Sequence, residues 1–221
     1  LTLAIFDLDN TLIAGDSDYT WGRFLAGIGV VDGNFHEREN QRFYDEYKAG
    51  TLDIHEFLSF SLRPLSQHSM ETLHGWRDEF MEQKILPLML PKARELLKKH
   101  RDQGDTLIII TATNRFITEP IAQAFDVEHL IATEPEILDN SFTGEIIDVP
   151  CYREGKVKLM QRWTSFNGGN LNESWFYSDS HNDIPLLEVV EHPVAVDPDE
   201  TLAQYARDKG WPVISLRDTD A

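Results

Sequence analysis

Short, nearly all-apolar runs recur along the chain, and each stops at a polar cluster. Residues 3–8 form the first, which leads into Asp7-Leu8-Asp9-Asn10-Thr11. Residues 107–110 form the second, stopped by Thr111-Ala112-Thr113-Asn114, and residues 175–177 the third, stopped by Ser178-Asp179-Ser180. Weaker runs lie at 130–132, 194–196 and 212–214. Uniformly apolar strands of this length are what a parallel sheet covered on both faces requires. Between them, helical patterns occupy 91–100 with Pro91 in the first turn, 115–125 behind a candidate N-cap at Asn114, 156–163 and 184–190. The alternation predicts an α/β core built on a doubly wound parallel sheet.

Two segments depart from it. Residues 15–89 carry no strand pattern and several helical ones, including Asp53-x-x-Glu56 as a capping box before Phe57, Leu58 and Leu62. The expected organisation is therefore a catalytic core of residues 1–14 and 90–221, interrupted after the first strand by a helical cap of residues 15–89. Residues 136–152 read as a β-hairpin punctuated by Asp139-Asn140 and Thr143-Gly144. Asn167-Gly168-Gly169-Asn170 follows a helix and precedes a strand, so it reads as a turn and not as a phosphate loop.

Composition narrows the function. The 221 residues are 41% hydrophobic and 10% aromatic, an ordinary globular balance. The formal charge of −18, from 38 acidic and 20 basic residues, argues against nucleic acid as a partner. Any phosphate site must be built locally, from a metal, a lysine and backbone N–H groups. The apolar run at residues 3–6 is too short to span a bilayer and lacks the flanks of a signal peptide, so no membrane partner is expected. The chain does not start with Met, so a few residues are expected to precede Leu1. One cysteine, Cys151, fits a reducing cytoplasm and reads as a small apolar filler. The eight histidines show no metal-binding spacing, and His181 reads as a loop-exposed side chain.

In an open α/β sheet the site lies beyond the carboxyl ends of the strands. The three clearest strands all deliver polar groups there: Asp7 and Asp9, Thr111, and Asp179 with Asp183. Residues i and i+2 of an extended segment share a side, so Asp7 and Asp9 fall in one small volume. Carboxylates held that close need a cation or a proton between them. Oxygen donors without a nearby imidazole or thiolate suit a hard cation, Mg²⁺. A single Asp at a strand end is more often a turn former, but four at two converging strand ends exceed that reading.

The pattern resembles the haloacid dehalogenase superfamily. Asp7-x-Asp9-x-Thr11 matches its first motif, Thr111 after residues 107–110 the second, Lys156 in Glu154-Gly155-Lys156-Val157 the third, and Ser178-Asp179-Ser180-His181-Asn182-Asp183 the fourth, with Ser in place of both usual glycines. Lys158 is the rival for the third position. The insertion after the first motif is similar to the helical cap of the phosphoserine-phosphatase-like subfamily. The resemblance implies a phosphomonoester hydrolase in which Asp7 attacks phosphorus and Asp9 serves as acid and then base. Mg²⁺ would be held by Asp7, the Asp9 carbonyl and Asp179, and Thr111 and Lys156 would bind the phosphoryl oxygens. Around these, Leu8 and Ala112 would contribute backbone, Thr11 would fix its own loop, Asn182 would touch phosphate or substrate, and Asp183 would orient Lys156 or a metal-bound water.

Gly15-Asp16-Ser17-Asp18-Tyr19-x-Trp21 enters the insertion beside the nucleophile. Carboxylates and aromatic faces suit a cationic or imidazole-bearing leaving group, with Asp16, Asp18 and Trp21 as candidate specificity residues. The alternative is that these residues are an N-cap and cap-core packing, the reading favoured for Tyr19. Phosphoserine phosphatases look similar in Lys48-Ala49-Gly50-Thr51-Leu52-Asp53, but Ser61 stands where they are expected to carry an arginine for the serine carboxylate. A Gly-Asp-Ser entry is similar to histidinol-phosphatase-type members. The expected substrate is thus a small phosphorylated metabolite, an amino-alcohol phosphate such as histidinol phosphate, with phosphoserine second. A catalytically silent phosphate-sensing or partner-binding module is the reading from another class. Oligomeric state is not legible.

Overall fold

A computed structural model describes residues 2–217. Among these residues eight strands are formed: β1 (Leu3–Phe6), β2 (Thr106–Asn114), β3 (His129–Thr133), β4 (Pro135–Leu138), β5 (Ser141–Ile146), β6 (Trp175–Ser178), β7 (His192–Val196) and β8 (Val213–Ile214). Six of them make one parallel sheet in the order β3-β2-β1-β6-β7-β8. The order reverses direction between β1 and β6, and crevices for ligands open at such switch points. β1 is buried along its length, with Leu3 and Ile5 in one core layer and Ala4 and Phe6 in the other. Two apolar layers explain why its sequence does not alternate.

α1 (Ser17–Gly27), α2 (Gly33–Ala49), α3 (Ile54–Ser61), α4 (Arg63–Ser66) and α5 (Met70–Phe80) lie between β1 and the next core helix, α6 (Pro91–Gln103). All but α4 start on side-chain caps: Asp16 accepts from Tyr19 N–H, Asp32 from Phe35 N–H, Asp53 from His55 and Glu56 N–H, and Ser69 from Thr72 N–H. Ile13 bridges to Met89, so the two ends of the insertion meet where it leaves the core. Among the described residues no helix is long and apolar enough to cross a membrane.

The remaining helices are α7 (Arg115–Ala124), α8 (Glu154–Asn167), α9 (Ile184–Leu187) and α10 (Glu200–Lys209). Several expected boundaries move. β2 does not stop at Thr111 but runs through Asn114, because β-branched threonines continue a strand as readily as they end one. In the β4–β5 hairpin the turn is Asp139-Asn140 alone, both at positive φ, whereas Thr143 and Gly144 lie inside β5. The helix expected over 184–190 is a single α turn preceded by a 3₁₀ turn. α10, capped by Asp199, went unread in the sequence.

Candidate active site

The chain leaves β1 at Phe6 and turns sharply: Leu8 C=O accepts N–H bonds from Leu12 (2.9 Å) and Ile13 (3.2 Å), and Asn10 sits at φ 57°. Asp7 N–H is fixed to Tyr177 C=O of β6 at 2.9 Å, so β6 sets where the Asp7 side chain projects. Lys156 Nζ, one turn into α8, donates to Asp7 Oδ1 (2.7 Å) and Asp183 Oδ2 (2.8 Å). Asp183 also accepts from Ser178 Oγ at 2.7 Å. Lys156 is buried while Lys158 is exposed, which decides between them.

Asp9 turns the other way. Its Oδ1 accepts from Ser17 N–H (2.7 Å), in the first turn of α1, and its Oδ2 from Thr113 Oγ1 (2.9 Å), with Thr111 Oγ1 farther off at 3.4 Å. The amino end of α1 thus points at this carboxylate, as a helix dipole favours. The extension of β2 through Thr113 puts Thr111 and Thr113 on one side of the strand, two residues apart. Thr113 and Ser17 were missed in the sequence; the Thr-x-Thr spacing at the end of β2 was the available signal.

Thr11 ties strand ends together rather than its own loop. Its hydroxyl lies 3.2 Å from Asp7 Oδ2 and 3.1 Å from Asp179 Oδ1 and accepts Asp179 N–H at 3.1 Å. Asp7 and Asp179 therefore flank one hydroxyl. Among the described residues no three Asp, Glu, His or Cys side chains gather into a metal-binding group. A cation here would have two carboxylates, Asp7 and Asp179, and because both Asp9 carboxylate oxygens are engaged, Asp9 could add only its backbone carbonyl. The all-oxygen set and the charge balance, four carboxylates (Asp7, Asp9, Asp179, Asp183) against one lysine, fit a hard divalent cation completed by water and phosphate oxygens.

Burial pushes Asp7 up to about 7, with Lys156 opposing it and Asp183 and Asp9 adding to it. Burial and the Asp16 charge push Asp9 up to about 6. Asp179 is raised well above the ordinary carboxyl range by burial, Asp7 and Asp183. Burial alone would lower Lys156, but Asp183 and Asp7 outweigh it and the ammonium stays charged. Cys151 is fully buried and pushed up to about 12 by burial, so it is an inert filler.

A cavity of about 640 Å³, its open mouth included, lies over Asp7 and Asp9 between the insertion and the core. Thr111, Ala112 and Thr113 line its floor; Asp16, Asp18, Tyr19, Phe43, Tyr44, Tyr47 and Phe57 line the insertion side. Ala112 contributes backbone, and its carbonyl accepts from Thr133 Oγ1. Asp16 both caps α1 and faces the cavity.

Four expectations are corrected. Trp21 does not line this cavity; it is buried in an aromatic cluster with Phe24, Phe80 and Phe116. Tyr19 does line it, the reverse of the expectation, because the Trp21, Phe24 and Leu25 stripe sets which face of α1 is buried. Asn182 is not turned to the cavity: Nδ2 donates to Tyr47 C=O (3.0 Å), and Oδ1 accepts from Tyr152 OH and Arg153 Nε. His181 is not loop-exposed, since Asp199 Oδ2 holds both its Nδ1 and its N–H at 2.8 Å.

Residues 4–188 match the family of haloacid dehalogenase-like hydrolases. A histidinol-phosphatase of Neisseria meningitidis is 42% identical over 219 residues, which cover 97% of this chain and 99% of that protein. The crystal structure of a protein with unknown function from Bordetella pertussis Tohama I superposes with a TM-score of 0.92 at 43% identity, covering 98% of this chain and 99% of that one. A phosphoserine phosphatase solved as a phospho-aspartyl intermediate analogue has a TM-score of 0.72 at 17% identity, covering 98% and 93%, and shares the fold.

Because Asp7 and Asp9 are raised from 3.8 to about 7 and about 6, the folded state holds protons that the unfolded chain has released. Their contribution to metal-free stability is present below pH 3.8 and lost as pH rises through 7. Thermal unfolding of EDTA-treated protein should give a higher Tm at about pH 5 than at about pH 7.5. Mg²⁺ should raise Tm more at the higher pH, and Asp179→Asn should shrink that rise. A Tm indifferent to Mg²⁺ at both pH values contradicts the charge balance described for this site.

Proposed function

Since the chain belongs to the haloacid dehalogenase-like hydrolase family and is a phosphatase, we propose that it is a Mg²⁺-dependent phosphomonoester hydrolase working through an aspartyl-phosphate on Asp7. The proposed substrate is an amino-alcohol phosphate such as histidinol phosphate. The arrangement of charge supports the chemistry. Asp7 Oδ attacks phosphorus as the ester P–O bond breaks, and Asp9, whose carboxyl is held near 6, gives its proton to the leaving oxygen. Water then attacks the phosphoryl group, the Asp7–P bond breaks, and Asp9 takes the water's proton.

Lys156 and the Thr111 hydroxyl bind the phosphoryl oxygens, and Asp183 keeps the ammonium directed. Asp7, Asp179 and the Asp9 carbonyl would hold Mg²⁺, which would supply positive charge against the carboxylate–phosphate repulsion. The pinning of Asp9 by Ser17 and Thr113 supports its acid–base role, because a proton carrier must keep its geometry through both half-reactions.

The lining of the cavity carries the substrate reading. Asp16 and Asp18 stand among Tyr19, Phe43, Tyr44 and Tyr47, and no lysine or arginine is among the described lining residues. An ammonium and an imidazole find carboxylates and ring faces there, whereas the carboxylate of phosphoserine meets no cation. Ser61 is buried away from this cavity, and Arg63 lines a separate groove with Val30 and Phe35. The name of the Neisseria relative supports the same choice. The lone buried Cys151 supports a cytoplasmic setting.

A panel with histidinol phosphate, phosphoserine and p-nitrophenyl phosphate tests the substrate. Preference for phosphoserine by kcat/KM would overturn the cationic reading. Asp7→Asn should lower kcat at least about 10³-fold on every ester while the protein stays folded. Near-normal turnover would remove Asp7 as nucleophile. Asp16→Ala should raise KM for the amino-alcohol phosphate about 10-fold and spare p-nitrophenyl phosphate, and equal losses on both would count against its role in specificity.

A further inference from the structure

Arg153 holds a backbone conformation that an arginine adopts at a cost. It sits at φ 49° and ψ −121°, immediately before α8, in a turn closed by Gly155 N–H to Tyr152 C=O at 2.8 Å. Those angles belong to the first central position of a type II′ turn, where glycine is the usual residue. Strain of this kind persists only where the surroundings over-determine it, and it clusters at functional sites.

The side chain shows what the strained residue reaches. Arg153 Nη2 donates to Gly50 C=O at 2.5 Å, and Nε donates to Asn182 Oδ1 at 3.0 Å. Gly50 is the left-handed C-cap of α2, so the guanidinium closes the carboxyl end of an insertion helix from the core side. Asn182 Nδ2 holds the Tyr47 carbonyl of the same helix end. A side chain at Gly50 would collide with His181 and crowd Arg153, so the glycine makes this approach possible. Tyr47 and Tyr152, whose rings lie 6.0 Å apart, close the cavity wall across the seam.

Both bonds lead to Lys156. Arg153 C=O accepts Lys156 N–H at 3.0 Å in the first turn of α8, and Asn182 precedes Asp183, which holds Nζ at 2.8 Å. We propose that Arg153 is a positioning residue: with Asn182 it latches the end of α2 to the core and couples closure of the insertion to the placement of Lys156. The proposal rests on the reading of the Asp7 site as the phosphoryl-transfer centre. Neither Arg153 nor Asn182 lines the cavity or bonds to Asp16, so the latch acts on turnover and not on substrate choice.

Arg153→Gly separates this role from a structural one, because glycine suits the turn while removing the guanidinium. The variant should keep its Tm within about 3 °C of the parent, strain relief offsetting the lost bonds. Its kcat should fall about 10- to 100-fold on both p-nitrophenyl phosphate and the amino-alcohol phosphate, as expected when a catalytic group is misplaced by an ångström. KM should change alike on the two. Hydrogen exchange at the Gly50 and Thr51 amides should accelerate about 10-fold or more while β1 and β2 stay protected. Arg153→Lys, which keeps the charge but cannot bridge both acceptors, should recover part of the loss.

An unchanged kcat overturns the latch, and so does a lost kcat with unaltered exchange at Gly50 and Thr51. A fall in Tm of 10 °C or so with proportionate loss of activity would make Arg153 a structural residue only. Failure of the underlying reading looks different: Asp7→Asn would then retain turnover, whatever Arg153→Gly does.

Discussion

Lys156 is the only lysine or arginine fully buried among the described residues, and it lies amid more negative charge than it can balance. Asp7 and Asp183 contact it directly, Asp179 shares the Thr11 hydroxyl with Asp7, and Asp9 stands on the other side of the loop. Burying carboxylates together is unfavourable unless protons or cations join them, and the raised pKa of Asp7 and Asp9 expresses that tension. The same tension makes the site receptive to a divalent cation and gives Asp9 a proton to lend near neutral pH. The remaining structure holds these charges at fixed distances.

The sheet does most of this. Placing β1 beside β6 at the reversal of strand order brings Asp7 and Asp179 to adjacent strand ends, and Thr11 bridges them. β2 brings Thr111 and Thr113 to the far side of Asp9. The insertion supplies what the core lacks. The amino end of α1 fixes Asp9 through Ser17, and the cavity over the phosphoryl site is walled by acidic and aromatic side chains. Farther along the insertion, the carboxyl end of α2 is held by Arg153 and Asn182. The pieces that choose the substrate and the pieces that turn it over are thus joined at two seams, one at each of these helices.

Much of the core was legible because apolar strands ending in carboxylates are a strong local signal. Asp7, Asp9, Thr111, Lys156, Asp179 and Asp183 are all close to the carboxyl ends of strands or to helix starts, where spacing alone places a side chain. Side chains within the insertion were harder. Trp21 and Tyr19 exchanged roles because proximity in sequence was weighed above helical phase, although Trp21, Phe24 and Leu25 already marked the buried face. Asn182 was read by its place in a motif, yet its hydrogen bonds are spent on Tyr47, Tyr152 and Arg153. Arg153 gave no sign at all, since a positive φ in a non-glycine residue is set by tertiary contacts.

The chemistry proposed for this site turns on the Asp7 carboxylate taking the phosphoryl group. Rapid acid quench of the enzyme during turnover of an amino-alcohol phosphate, followed by peptide mapping by mass spectrometry, addresses it directly. A phosphoryl group is expected on the peptide that contains Asp7, located at Asp7 and accumulating within the first turnover. A phosphoryl group on any other residue, or turnover with inversion of configuration at a chiral phosphorus and no labelled enzyme, would contradict it.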